Sequence, residues 1–270
     1  MKAPEWSIAD FSFSVMGGDA QKGAVALLAA YFDESGTTGA DKIALYGGAV
    51  ARTDEWRNIE KPWRQKLDEF QIGTYHASHC EHGIKEFAHL SRPIREALTG
   101  YLAGLIGGLN AQAFGSAILR KDWPYVPKHL RDACFDDPIL FSLSFCFQHV
   151  STWAKENAGS EPVAFVFACH EKYGPVIEQV HKAFQASGRW TNIGSLSFAK
   201  PQNLVQLQAA DLLSYEFLQF ALNGNLGAER NAWKSINSRA SAGGKFGASY
   251  IFHDAESVQA IKPFASSGAA

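Results

Sequence analysis

Charge is scarce in this chain of 270 residues: 19% of positions are charged, and 25 basic against 27 acidic side chains leave a net charge of −2. No global field therefore draws the protein to nucleic acid or to an anionic membrane, and such a partner must be held by a local patch. The four cysteines, Cys80, Cys134, Cys146 and Cys169, make no paired framework and no Cys-x-x-Cys clip. The N-terminus also lacks a basic-then-apolar leader, so free thiols and a cytoplasmic location are expected. The longest smooth apolar stretch of the middle, Ala97 to Leu109, carries four glycines and falls short of the roughly 20 residues that a membrane span needs. No membrane partner is expected. A Walker loop, a Gly-x-Gly-x-x-Gly turn and a Gly-x-Ser-x-Gly elbow are all missing, which removes the usual anchors of nucleotide hydrolases, dinucleotide oxidoreductases and serine hydrolases. What the chain has instead is apolar bulk: 46% apolar and 13% aromatic residues suffice for a large core and exclude disorder.

Residues 1–22 show no period and read as an N-terminal arm. Ala24 to Phe32 is continuously apolar and ends at Asp33-Glu34-Ser35-Gly36, as a strand covered on both faces does where it meets a turn. Ile43 to Val50 makes a hairpin partner, weakened by its two glycines. Asp54 is placed to cap a helix from Glu55 to Phe70, with Trp56, Ile59, Trp63, Leu67 and Phe70 at helical spacing. A second helix runs from Pro93 to Gly107, capped by Ser91, and Ala111 to Leu119 forms a third strand. After a loop from Asp122 to Asp137 come a helix from Pro138 to Asn157, a strand from Val163 to Cys169 and a helix from Pro175 to Gln185. A strand from Ile193 to Phe198 and a helix from Leu204 to Leu222 complete the regular part. With an insertion at about residues 53–108, the order is β-β-β-α-β-α-β-α. This is an α/β fold with a ribonuclease H-like mixed five-stranded sheet flanked by helices, spanning residues 23–222. Residues 223–270 form a C-terminal extension, rich in Gly, Ser and Asn, with a short extended candidate at Ser249 to Phe252.

Acidic residues supply the candidate chemistry. Asp33 and Glu34 end an apolar strand, and alternation sends them to opposite sides, so one ligand is expected there rather than two. Asp211 falls on one stripe of the last helix with Leu204, Gln208, Tyr215, Leu218 and Leu222, where a carboxylate needs a partner, a proton or a metal. His170-Glu171 follows the fourth strand, at the strand ends where such sheets present functional groups. Three acids meeting over one sheet edge suit Mg²⁺ or Mn²⁺, which take oxygen ligands. A separate group, His76, His79, Cys80, Glu81 and His82, carries zinc-type ligands without a matching second half. The stretch from Arg230 to His253 interleaves Arg230, Lys234, Arg239 and Lys245 with Trp233, Phe246, Tyr250 and Phe252, a composition that can hold a nucleic-acid backbone and stack bases.

Tyr31-Phe32-Asp33-Glu34-Ser35-Gly36, Tyr75-His76-Ala77, Lys85-Glu86-Phe87 and Gln208-Ala209-Ala210-Asp211-Leu212-Leu213-Ser214-Tyr215, in this order, resemble the bacterial and phage family called domain of unknown function 3800 over roughly residues 27–222. That family is similar to ribonuclease H-like nucleases, so the resemblance implies a metal-dependent phosphodiesterase without fixing its substrate. It matches Asp33 to the first-strand aspartate, Asp211 to the last-helix aspartate, and Gln208 and His76 to recurrent polar positions. The chain departs where the family often closes the fourth strand with aspartate: it has Cys169-His170-Glu171-Lys172, so the middle ligand is Glu171, His170 or missing. The helix from Pro138 has no acid before Glu156, so a three-ligand site, as in Holliday-junction resolvases, is the closer comparison.

The expectation is a nuclease of RNA or DNA with Asp33, Glu171 and Asp211 catalytic, and the same three with Glu34 and His170 as metal ligands for Mg²⁺ or Mn²⁺. Ser35, Gly36, His76, Lys200 and Gln208 stand on the substrate side. Two alternatives are an inactive nucleic-acid- or protein-binding module on the same fold, and a zinc-dependent hydrolase using His76, His79 and His82.

Overall fold

The structure, a computed structural model, describes residues 28–36, 41–169, 172–223, 230–241 and 245–259. The expected N-terminal arm, the expected ligands His170 and Glu171, and residues 260–270 lie outside the described residues.

Strands β1 (Leu28–Ser35), β2 (Ile43–Arg52) and β3 (Ala111–Leu119) make an antiparallel meander. On the other side of β1 lies β4 (Val163–Ala168), parallel to it, and then β5 (Ile193–Ala199), parallel to β4. The expected count of five strands is corrected to six: β6 (Gly247–His253) pairs parallel with β3, giving the order β5-β4-β1-β2-β3-β6. As an edge strand β6 is only partly covered, so its sequence carries no continuous apolar run. The C-terminal extension therefore completes the sheet. All strands but β2 run the same way, which places the ends of β1, β3, β4 and β5 on one edge.

Helices cover both faces. On one lie α1 (Thr53–Glu69), α2 (Ala77–His82), α3 (Arg92–Gly107), α7 (Val205–Asn223) and α8 (Asn231–Ser241), against Ala29, Tyr31, Leu45, Ala49 and Ala113 of the sheet. On the other, α4 (Lys128–Ala133), α5 (Pro138–Ala158) and α6 (Gly174–Ala186) bury Ala30, Phe32, Ala44, Tyr46 and Phe114. A short α9 (Ala255–Gln259) follows β6. Helix α1 buries Trp56, Ile59, Trp63 and Leu67, the expected stripe, but Asp54 lies inside its first turn and no side chain caps it. Asp137 does cap α5, accepting from the Ile139 N–H at 2.8 Å. Helix α8 packs so closely on α3 that a Cβ on Gly107 would lie 2.4 Å from the Ile236 carbonyl oxygen.

Candidate functional site

Alternation along β1 decides which side chains meet the helices. Tyr31 packs on the α7 side, and two positions on, Asp33 points to the same side. It faces Asp211 of α7, and each carboxyl acts on the proton affinity of the other. One turn along α7, Ser214 Oγ donates to Ser35 Oγ at 3.1 Å, tying the end of β1 to the helix. This approach depends on Gly47, the cross-strand partner of Asp33 on β2. A Cβ there would stand 2.8 Å from Ser214 Cα, and one on Gly115 of β3 would stand 2.7 Å from the Phe217 ring. Gly47, one of the two glycines that weaken β2 in the sequence, is thus what lets the helix bring Asp211 down to Asp33, with Gly115 of β3 beside it.

Both carboxyls are held above the ordinary carboxylate range. For Asp33 burial is the main cause, reinforced by the negative charges of Asp211 and Glu34. For Asp211 burial again raises the value, and His76, the Ala77 N–H and Asp33 oppose it. Two carboxyls in contact cannot both ionise cheaply, so the pair retains a proton or takes up a positive charge. Asp211 keeps 16% of its side-chain surface in solvent, so the pair is reachable from the sheet edge.

The N-terminus of α2 supplies the other wall. The Ala77 N–H donates to Asp211 Oδ2 at 2.6 Å, and His76 Nδ1 stands 3.6 Å from Oδ1. The His76 ring stacks on His79 at 3.9 Å, and His79 Nδ1 lies 3.2 Å from Glu86 Oε1. His76 therefore stands beside the carboxyl pair. The Ala77 amide is a contributor that residue types cannot announce, being backbone.

Several expected roles are corrected. Glu34 turns to the opposite face, where Tyr46 Oη donates to it at 3.4 Å, so it stands outside the carboxyl pair. Gln208 is buried and structural: its Oε1 accepts from Trp63 Nε1 at 2.9 Å and from the Tyr75 N–H at 3.0 Å, and its Nε2 donates to the Pro201 carbonyl at 2.8 Å. No group of it is left for substrate. Gly36 is a turn residue at φ 71°, and its carbonyl accepts from Arg120 Nη2 at 2.6 Å. Ser35 is at the site, engaged with Ser214, and Lys200 stands exposed just past β5 on the same sheet edge. The stripe containing Asp211, Tyr215, Leu218 and Leu222 is the open side of α7, whereas Ala209, Leu212, Leu213 and Phe217 are buried.

The zinc-type group does not converge. His82 Nδ1 is 2.7 Å from the Ser78 carbonyl oxygen, Cys80 Sγ is buried 3.4 Å from Thr99 Oγ1, and Glu81 pairs with Arg230 at 2.9 Å. Among the described residues no three His, Cys, Asp or Glu side chains gather as a group that could hold a metal. The basic and aromatic stretch of the C-terminal part dissolves likewise. Arg230 grips buried Glu216 through two bonds of 2.9 and 3.0 Å, and Tyr250 stacks on Phe217 at 5.6 Å.

The fold and the site together define an α/β protein with a partly buried carboxyl pair at the edge where its parallel strands end. Comparison with protein-family models, with curated proteins and with solved structures finds no match to the chain. No helix among the described residues is long and apolar enough to cross a membrane. The two carboxyls, with His76 3.6 Å from Asp211 Oδ1 on one side, offer oxygen donors of the kind that hard cations take.

Proposed function

We propose that the chain is a metal-dependent nuclease that hydrolyses a phosphodiester of RNA or DNA, with Asp33 and Asp211 holding Mg²⁺ or Mn²⁺ and Glu171 as the third ligand. The observation that carries this reading is the placing of two partly buried carboxyls, one from β1 and one from α7, against each other, both with raised pKa values. Such a pair is costly to a fold and is kept where it serves a site. The reading takes the fold as ribonuclease H-like and the chain as a member of the domain of unknown function 3800 family. It is supported by the antiparallel meander of β1 to β3 followed by two strands parallel to β1. The cytoplasmic setting belongs to the same reading and is supported by four free thiols.

When bound, the cation polarises the phosphate and lowers the pKa of the attacking water. The chain's own residues prepare the place. The Ala77 N–H fixes Asp211 Oδ2, leaving Oδ1 toward His76, and the Ser214 to Ser35 bond keeps β1 and α7 in register. His76, its side chain 46% exposed, stands at the mouth, able to donate a hydrogen bond to an incoming phosphate.

Incubation with labelled single- and double-stranded RNA and DNA in Mg²⁺, Mn²⁺ or EDTA tests the proposal. Cleavage lost in EDTA and in both Asp33→Asn and Asp211→Asn is the expected result, and full cleavage by either variant overturns it. Binding without turnover would select the inactive module, which is favoured by there being only two converging acids among the described residues.

A further inference from the structure

A second polar cluster lies at the same sheet edge and takes no part in the carboxyl pair. Arg120, directly after β3, donates from Nη2 to the Gly36 carbonyl at 2.6 Å, while its Nε is buried with no hydrogen-bond partner among the described residues. Lys172, exposed ahead of α6, sets its ammonium 3.0 Å from Tyr173 Oη and 4.5 Å from the centre of that ring. Lys172 follows β4 as Arg120 follows β3, and both strands end on the same edge of the sheet. Other cations of this region are already neutralised: Lys128 pairs with Asp132 at 2.6 Å and Arg131 with Asp136 at 3.1 Å.

The segment that follows Arg120 displays aromatic rings. Asp136 Oδ1 accepts from Trp123 Nε1 at 3.2 Å and from Arg131 Nη1 at 3.1 Å, and Arg131 Nε donates to the Val126 carbonyl at 3.2 Å. This knot leaves Tyr125 58% and Phe135 53% exposed beside it. Phe135 and Asp136 both stand at φ 53°, a left-handed conformation that a bulky side chain rarely adopts. A strained backbone that turns an aromatic ring outward gains nothing from core packing, and such strain collects where ligands are held. Arg120 opens and Tyr125 closes the short helical turn that follows β3, so a cation and an exposed ring share one segment, which suits a phosphate next to an unstacked base.

We propose that this edge binds a single-stranded nucleic acid, with Arg120 and Lys172 on a backbone phosphate and Tyr125 and Phe135 stacking bases. The inference rests on the nuclease reading and names its substrate class. Duplexes are disfavoured because their bases are not free to stack on the rings.

Fluorescence anisotropy with short labelled single-stranded and duplex RNA and DNA tests it, using full-length protein in an Asp33→Asn background so that nothing is cleaved. The single strand should bind more tightly than the duplex, and Tyr125→Ala and Phe135→Ala should each weaken it about tenfold. Lys172→Gln should weaken binding of all sequences alike and reduce the slope of log affinity against log salt by about 0.7. Both Lys172 and Tyr125 are exposed, so unchanged melting temperatures verify the fold of those variants. Preference for the duplex, or variants that bind like their parent, overturns the inference and leaves the nuclease reading standing. A parent that binds no nucleic acid, together with wild-type protein that cleaves none, overturns both.

Discussion

Replacing Asp33 by Asn should stabilise the metal-free protein while removing its response to divalent cations. In the native pair each carboxyl is raised, Asp33 by burial and then by Asp211, Asp211 by burial. Two full charges at hydrogen-bond separation repel by about 5 kcal/mol at an effective dielectric constant near 20. A proton or a positive charge taken up by the pair removes most of this repulsion, so the relief on neutralising one member is smaller, about 0.5–2 kcal/mol. The Asp33→Asn variant retains the contact, because the new amide can donate to Asp211. For a chain of this size the gain amounts to a rise of about 1–8 °C in melting temperature. Wild-type protein at a cation concentration about a hundred times the dissociation constant gains about 2.7 kcal/mol, or about 5–10 °C. Scanning calorimetry at pH 8 with EDTA, Mg²⁺ or Mn²⁺ measures both effects. An Asp33→Asn protein that melts lower than wild type in EDTA, or that gains as much from Mn²⁺ as wild type does, would refute the electrostatic account of the pair.

Other expectations follow from the same contacts. Because Asp33 and Asp211 have raised values, the native state binds more protons than the unfolded chain above the ordinary carboxylate range. Their contribution is therefore most favourable below about pH 4 and is lost as pH climbs through the raised values; urea titrations of metal-free protein across pH should show this loss, and Asp33→Asn should flatten it. Gly47→Ala would put a Cβ 2.8 Å from Ser214 Cα, so it should push α7 off the sheet, cost about 1–3 kcal/mol and weaken Mn²⁺ binding measured by calorimetry. Glu216→Ala removes the buried partner of Arg230 and leaves Glu81 as its remaining one, so it should cost about 1.5–3 kcal/mol in urea denaturation. Glu81→Ala, removing the outer partner of the same guanidinium with 39% exposure, should cost less than about 1 kcal/mol.

The central strands and long helices are legible because each has a simple pattern. β3 runs over Ala111–Leu119 as its apolar run indicates, and α5 begins at Pro138, where Asp137 caps it. The C-terminal elements are legible only in part: Ser249 to Phe252 reads as extended and lies within β6, but the rest carries no pattern for a physical reason. Helix α8 buries only Ala232, Trp233 and Ile236, because it lies on glycines of α3, and β6 is an edge strand partly covered on its faces. Helix α2 is six residues long, too short to display a period. At the site, Asp33 and Asp211 stand out as acids among apolar neighbours, and the structure brings them together. The side of α7 that faces outward is harder to infer, since apolar residues surround that helix and periodicity cannot say which stripe is covered. Gln208 reads as a substrate-side residue, yet it serves Trp63 and Tyr75 across long sequence separations and Pro201 close by. The closeness allowed by Gly47 and the amide of Ala77 depend on tertiary approach alone.

The most direct test of the carboxyl pair as a cation site is a crystal grown with Mn²⁺ and measured at the manganese absorption edge. The account requires an anomalous peak in contact with the carboxylate oxygens of both Asp33 and Asp211, absent from Asp33→Asn crystals, with a side chain from residues 170–171 completing the ligand set. Manganese bound elsewhere, with the two carboxyls holding none, would contradict it.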